Sequence, residues 1–165
     1  ESEENLQKLL DKKADKLLEL GGENIPQEWQ ENKEFFNKCI LTIEEKILKD
    51  PKSTKESMEF YFVEKSYEKE LLTHEKMKVD LEMAKRGLTA AKETLEKLDN
   101  FSETEIAKTL LQIVEDQGVK NGQVLWPFRA ALTGEQFSPG AFEVAYALGK
   151  EKTLKRLEKA LALLG

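Results

Sequence analysis

Apolar residues recur at intervals near 3.6 along almost the whole of this 165-residue chain, and no strand-like alternation lasts more than a few positions. That period restricts the fold to amphipathic helices packed on their apolar faces. A charged fraction of 35% with only four prolines suits such helices better than sheets. The length fits one ordinary domain or two small ones and can bury a core. The expected fold class is therefore all-α, built as two consecutive small helical bundles over residues 1–99 and 100–165. Asp99-Asn100 marks the boundary between them.

The spacing predicts a first helix over residues 6–20, stopped by Gly21-Gly22. A second follows Pro26 and aligns Phe36, Ile40, Ile43 and Ile47 on one stripe. Asp50-Pro51 ends it, because a residue before proline is pushed out of helical dihedrals. A third shows Phe60, Val63, Tyr67 and Leu71 on one face, and a fourth shows Leu88, Ala91, Leu95 and Leu98. With no breaker between Leu72 and Met83, these two can also be read as one long helix. Beyond the boundary, Ser102 and Glu105 have capping-box spacing ahead of Ile106, Leu110, Ile113 and Val114, and Gly118 closes that helix. Further helices are expected over 121–133, 139–148 and 150–164, the last with Leu154, Leu157, Leu161 and Leu164 on one face.

Several function classes find no support. No run approaches the roughly 20 apolar residues of a membrane span, and no charged-then-apolar leader of the secretory type is present. One cysteine, Cys39, cannot form an internal disulfide, which favours a cytoplasmic setting. Cys39 and His74 are the only residues of their kinds, so no metal site can be assembled. Cys39 lies on an apolar stripe and reads as a buried, inert thiol. Acid pairs such as Glu44-Glu45 read as surface charge. No phosphate loop and no serine-histidine-acid set can be found, so no catalytic residue and no cofactor are expected in this chain. It is expected to be soluble and monomeric. It begins ESEENLQ, without an initiator methionine, as either a segment of a longer protein or a processed product would.

The stretch from Lys120 to Leu161 carries more than core design requires. It contains Trp126-Pro127-Phe128-Arg129, then Ala130-Ala131-Leu132-Thr133-Gly134, then Ser138-Pro139-Gly140, then Leu148-Gly149-Lys150-Glu151. A proline in a helical pattern starts a helix or kinks one. Arg129 presents a planar fork of five donors, suited to a base edge or face; the competing reading is an exposed or salt-bridged arginine at a helix end. Thr133-Gly134 ends the helix, and Ser138-Pro139 is expected to open the next as N-cap and first-turn proline. The free amides there serve the helix or an anionic ligand. Trp126, Phe128, Phe137 and Phe142 can offer stacking surfaces; Phe142 reads as core and Phe137, in the turn, as exposed. Lys150, Lys152, Lys155, Arg156 and Lys159 form a basic side of the last helix, either a solvated face or a set of phosphate contacts.

This ordered series resembles the C-terminal anticodon-binding end of bacterial-type glutamyl-tRNA synthetases (glutamate–tRNA ligases). The match is close over about the last 45 residues and looser over the helices before them. The resemblance implies an α-helical cage whose partner is a glutamate-accepting tRNA. It places Arg129 at the middle anticodon base, and Ser138, Pro139, Gly140 and Ala141 at the first. Stacking from Trp126 and Phe137, and phosphate contacts from Lys150, Lys152, Lys155 and Arg156, are expected on the residue types alone. In the parent enzyme ATP and Mg belong to a catalytic domain. This chain carries neither an HIGH-type nor a KMSKS-type sequence and is expected to be inactive alone.

Two features depart from that pattern. Relatives use an arginine of the first bundle at the third anticodon base, yet the first 118 residues hold only Arg86, in the wrong place. Lys49, Lys52 and Lys55 fall near the expected position, which leaves open the reading of the third base and, with it, the choice between glutamate and glutamine tRNAs. Net charge is −6, although residues 119–165 hold seven Lys/Arg against four Asp/Glu. Phosphate binding needs a basic surface. Bulk charge therefore favours the alternative, a helical protein-interaction or scaffolding domain without RNA binding.

Overall fold

The computed structural model describes residues 2–165 and is all-α, with nine α-helices and no β-strand among the described residues. The chain divides into two compact units, one ending at Val63 and one spanning Glu64–Gly165.

In the first unit α1 (Ser2–Gly21) buries Ala14 and Leu17 and packs on α2 (Lys33–Leu41) and α3 (Glu44–Lys49). Asn32 caps α2, its side chain accepting from the Phe35 amide at 3.1 Å. Phe36, Ile40, Ile43 and Ile47 are all buried, as their spacing predicts, but two helices share the stripe. The break falls at Thr42, whose hydroxyl donates to the Cys39 carbonyl at 2.7 Å, a local bond that competes with helix continuation. Cys39 is buried in this core. α3 stops at Lys49, ahead of Asp50-Pro51. The short α4 (Thr54–Met58) and a 3-10 turn at Glu59–Tyr61 complete the unit, and Trp29 stacks on Phe62 with ring centres 4.7 Å apart.

The second unit is a bundle of α5 (Leu81–Glu96), α6 (Glu103–Gln117), α7 (Asn121–Thr133), α8 (Ala141–Leu148) and α9 (Lys150–Leu164). α5 packs against α6, α7 and α9, and α7 also meets α6, α8 and α9. Leu88, Leu95, Ile106, Leu110, Phe128, Leu132, Val144 and Leu157 fill the space between them. Ser102 caps α6, accepting from the Glu105 amide at 3.2 Å, and Gly118 closes it at φ 63°. Asp99-Asn100 therefore lies inside this unit. α5, expected in the first bundle, belongs to the second, because its Leu88–Ala91–Leu95 face is covered there.

The third predicted helix does not form, and neither does the long helix through 72–83. Phe60 sits in a 3-10 turn of the first unit, Val63 is 47% exposed, and Tyr67 and Leu71 belong to the second unit. Side-chain-to-backbone bonds divert the segment. The Thr73 hydroxyl donates to the Glu70 carbonyl at 2.6 Å, and the His74 Nδ1 accepts from the Met77 amide at 3.1 Å. Lys78 takes a left-handed φ of 60°, and His74 and Val79 pair through both backbone bonds. Asp80 then starts α5 afresh, accepting from the Met83 amide at 2.8 Å. Among the described residues no helix is long and apolar enough to cross a membrane.

Candidate nucleic-acid interface

α7 carries Pro127 in its interior, buried, where the missing N–H deprives the Gln123 carbonyl of its usual partner. The surroundings hold the helix in place. The Lys120 amide donates to Gln123 Oε1 at 2.9 Å, half of a capping box, while Gln123 Nε2 donates to the Met77 carbonyl at 3.1 Å. Trp126 Nε1 donates to the Leu71 carbonyl at 3.0 Å, and the His74 ring stands edge-on to its indole at 4.5 Å. The irregular 69–80 segment is thus strapped onto one face of α7.

Arg129 is half-buried, with its guanidinium 4.8 Å from the centre of the Trp126 ring. Nη1 donates to the Glu135 carbonyl at 3.2 Å and to Ser138 Oγ at 2.6 Å, and Nη2 donates to the Gln136 carbonyl at 2.8 Å. Three of its five N–H groups are committed to the loop that follows α7. Burial pulls its pKa downward, yet a guanidinium remains charged at neutral pH. Neither sequence reading described this state: the fork binds its own chain rather than a carboxylate.

The loop is built around that fork. Gly134 ends α7 at φ 66°, and the Glu135 amide donates to Thr133 Oγ1 at 3.1 Å. Lys65 pairs with the Glu135 carboxylate. Ser138 is not the N-cap of α8, and Pro139 is not in its first turn. The helix starts at Ala141 with Gly140 as N-cap, and the Gly140 amide donates to Glu143 Oε1 at 2.9 Å. The Ser138 hydroxyl accepts from Arg129 and donates to the Pro139 carbonyl at 2.8 Å, so it serves the loop rather than the start of α8.

Beside Arg129 lies an open groove of about 390 Å³, lined by Met77, Gly122, Leu125, Trp126, Arg129, Gly140, Ala141 and Phe142, with Glu103 and Glu143 at its polar positions. Phe142, expected in the core, is half-buried and forms part of this lining. The groove gathers Trp126, Arg129, Gly140 and Ala141 from the expected site. Ser138 touches it through Arg129, and Pro139 is half-buried in the loop. Phe137 lies outside the groove lining and is 84% exposed, as expected of a turn residue. Sequence reasoning missed Met77 and Glu103. It missed Glu143 too, although its place three residues after Gly140 is a capping signal.

The basic side of α9 is thinner than expected. Arg156 is only 7% exposed and donates to the Leu132 carbonyl at 2.6 Å, with its Nε 3.7 Å from Glu64, so it is a structural brace rather than a phosphate contact. Lys159 also pairs with Glu64, and Lys150 donates to the Leu98 carbonyl at 2.7 Å. The hydrogen bond from Lys159, aided by Arg156 and Lys155, holds the Glu64 carboxyl below its ordinary range against the opposing effect of burial. Lys152 and Lys155 are exposed. In the first unit Lys49, Lys52 and Lys55 are exposed around the Asp50-Pro51 break, and Lys52 and Lys55 line a cleft of about 250 Å³ with Leu20, Gly21 and Asn24. Among the described residues no group of three histidines, cysteines or carboxylates is placed to hold a metal ion.

Residues 5–161 match the family described as "Anticodon binding domain". The glutamate–tRNA ligase of Clostridium tetani (strain Massachusetts / E88) is 40% identical over 104 residues, which is 62% of this chain and 21% of that protein. The glutamate–tRNA ligase of Clostridium acetobutylicum is 36% identical over 104 residues, with the same shares. The chain therefore spans about a fifth of the length of these relatives. Among solved structures, a glutamate tRNA ligase from Elizabethkingia meningosepticum matches with a TM-score of 0.68 at 22% identity, over 96% of this chain and 29% of that one. The glutamate-tRNA synthetase from Elizabethkingia anophelis matches at 0.59 and 21%, over 94% and 28%. At these identities the two structures speak for the fold alone.

Proposed function

The chain belongs to the anticodon-binding domain family, and from that premise we propose that it recognises the anticodon loop of a glutamate-accepting tRNA as one part of a glutamate–tRNA ligase. The observation that carries this reading is the groove beside the Arg129–Trp126 pair. Single-stranded RNA loops are read by splaying bases onto planar side chains and hydrogen-bonding their edges. The groove offers that combination: apolar walls from Leu125 and Phe142, a guanidinium with two N–H groups still available, and a backbone left approachable by Gly140 and Ala141. Arg129 addresses the middle base, and the Ser138–Ala141 stretch borders the first.

The chain's own task is binding and orientation. In the whole protein, glutamate is joined to tRNA at the expense of ATP, with Mg, in a catalytic domain outside this sequence. The setting is cytoplasmic and the chain acts as a monomer. The exposed Lys152 and Lys155 of α9 lie against phosphates, a contact that positions RNA without reading it.

Equilibrium binding by this chain to glutamate tRNA, and to the same tRNA with its middle anticodon base exchanged, tests the reading. Preferential binding of the first is expected. No binding to either would sink it and favour the second reading, a helical protein-interaction domain, for which the net charge of −6 speaks.

A further inference from the structure

We infer that Phe137 is a stacking platform for one splayed base of the bound RNA loop, and that Arg129 is the positioning residue that holds the platform in place. This rests on the reading that the chain binds an anticodon loop. Each of the other seven phenylalanines is buried or half-buried, whereas Phe137 is 84% exposed. The loop carrying it is braced on both sides of the ring. Arg129 binds the carbonyl of Gln136, immediately before it, and the hydroxyl of Ser138, immediately after it, as well as the Glu135 carbonyl. Ser138 is bonded onward to Pro139, Glu135 is paired with Lys65, and the guanidinium rests over Trp126.

A ring on a braced loop keeps only its own two side-chain torsions to lose, so stacking on it orders little else. Its neighbours argue for a base over a protein partner. Gln136 and Gly140 are exposed and Ser138 is polar, so among its chain neighbours only the half-buried Pro139 is apolar, too little for a patch of the kind that buries against protein. A lone ring without hydrogen-bonding groups accepts any base by its π-face. The contact therefore adds affinity without sequence preference, and selectivity remains with the groove.

The test uses this chain and a stem-loop RNA bearing a glutamate anticodon, with 2-aminopurine placed at one loop position at a time. Wild type is expected to bind and to perturb the fluorescence at one position. Phe137→Ala and Phe137→Leu should weaken binding about 5- to 150-fold, the range that loss of one base–aromatic stack gives. Both should abolish that signal and leave preference between middle-base variants unchanged, while Phe137→Tyr retains both affinity and signal. Arg129→Lys keeps the charge but not the fork; it should lose the same signal, and the double variant Arg129→Lys/Phe137→Ala should bind no worse than the weaker single one. Circular dichroism checks each fold, and Ser138→Ala, which removes one of the three brace bonds, replaces Arg129→Lys if that variant unfolds. It should show a partial loss of the same signal. Additive losses would overturn the positioning role of Arg129. Unchanged affinity and signal in Phe137→Ala would overturn the platform while leaving the RNA reading intact. Failure of wild type to bind the stem-loop would overturn that reading and this inference together.

Discussion

Of the three arginines in this chain, Arg129 and Arg156 turn their donors onto backbone carbonyls, where each ties a helix end or loop to its surroundings. Arg156→Ala strands the Leu132 carbonyl and removes the cation beside Glu64. It is expected to cost about 2–4 kcal/mol of folding stability, whereas the exposed Lys155→Ala should stay within about 0.5 kcal/mol; urea denaturation of both measures the contrast. Arg129→Ala should weaken tRNA binding by about 1–3 kcal/mol, the scale of a charged hydrogen bond, and Arg129→Lys should not restore it. Glu64 adds a dependence on pH. Its folded pKa lies below the unfolded value of 4.5, so its contribution is complete above that value and is lost as pH falls through the lowered one. Glu64→Gln should therefore lower stability at pH 7, and that loss should shrink as pH falls below 4.5, as read from unfolding curves across the range. The motif made the arginine at position 129 legible in sequence. Its acceptors were not legible, because a backbone carbonyl carries no residue identity and only the folded loop shows which carbonyls arrive. The burial of Arg156 was hidden for a related reason: its neighbours Lys155 and Lys159 are exposed, and sequence does not reveal which cation of a basic run turns inward.

The spans of α6, α7 and α9 follow their sequence pattern closely. Where the pattern failed, from 62 to 80, local hydrogen bonds outcompeted a weak stripe. The His74 imidazole, the Thr73 hydroxyl and the left-handed Lys78 turn the chain, and none of these residue types is a strong breaker on its own. Asp80 makes the restart of α5 firm. If α5 begins at this cap rather than continuing from 72, Asp80→Ala should destabilise the protein by about 1 kcal/mol, and Asp80→Ser should recover most of it. Were α5 merely the second half of a longer helix, Asp80→Ala would be neutral or stabilising, since alanine is the better interior residue. Thermal unfolding of the three proteins decides between the two.

At the scale of the whole chain, charge and division into units were read from sequence with different success. The acidic balance was plain from composition, but its consequence depends on which cations remain available. With Arg156 and Lys159 on Glu64 and Lys150 on Leu98, α9 presents fewer cations to phosphates than its sequence suggests. The logarithm of RNA affinity should thus fall only gently with the logarithm of salt, with a slope of about −1 to −3. The parting at Val63–Glu64 differs from the division that composition suggests, because Asp99-Asn100 has the composition of a linker while residues 60–71 imitate a helix. What decides the boundary is burial. Leu88, Ala91 and Leu95 on α5 are covered within the second unit, mainly by α7 and α9. A fragment of residues 64–165 retains that packing and is expected to unfold cooperatively with the circular dichroism of a helical protein. A fragment of 100–165 lacks α5 and exposes the faces of α7 and α9 that it covers. A chain this short has little core to spare, so it should keep some helix while losing its near-ultraviolet signal and its sharp urea transition. If 100–165 instead unfolds as cooperatively as 64–165, α5 is dispensable to the second unit and the sequence boundary at 99–100 is the better division.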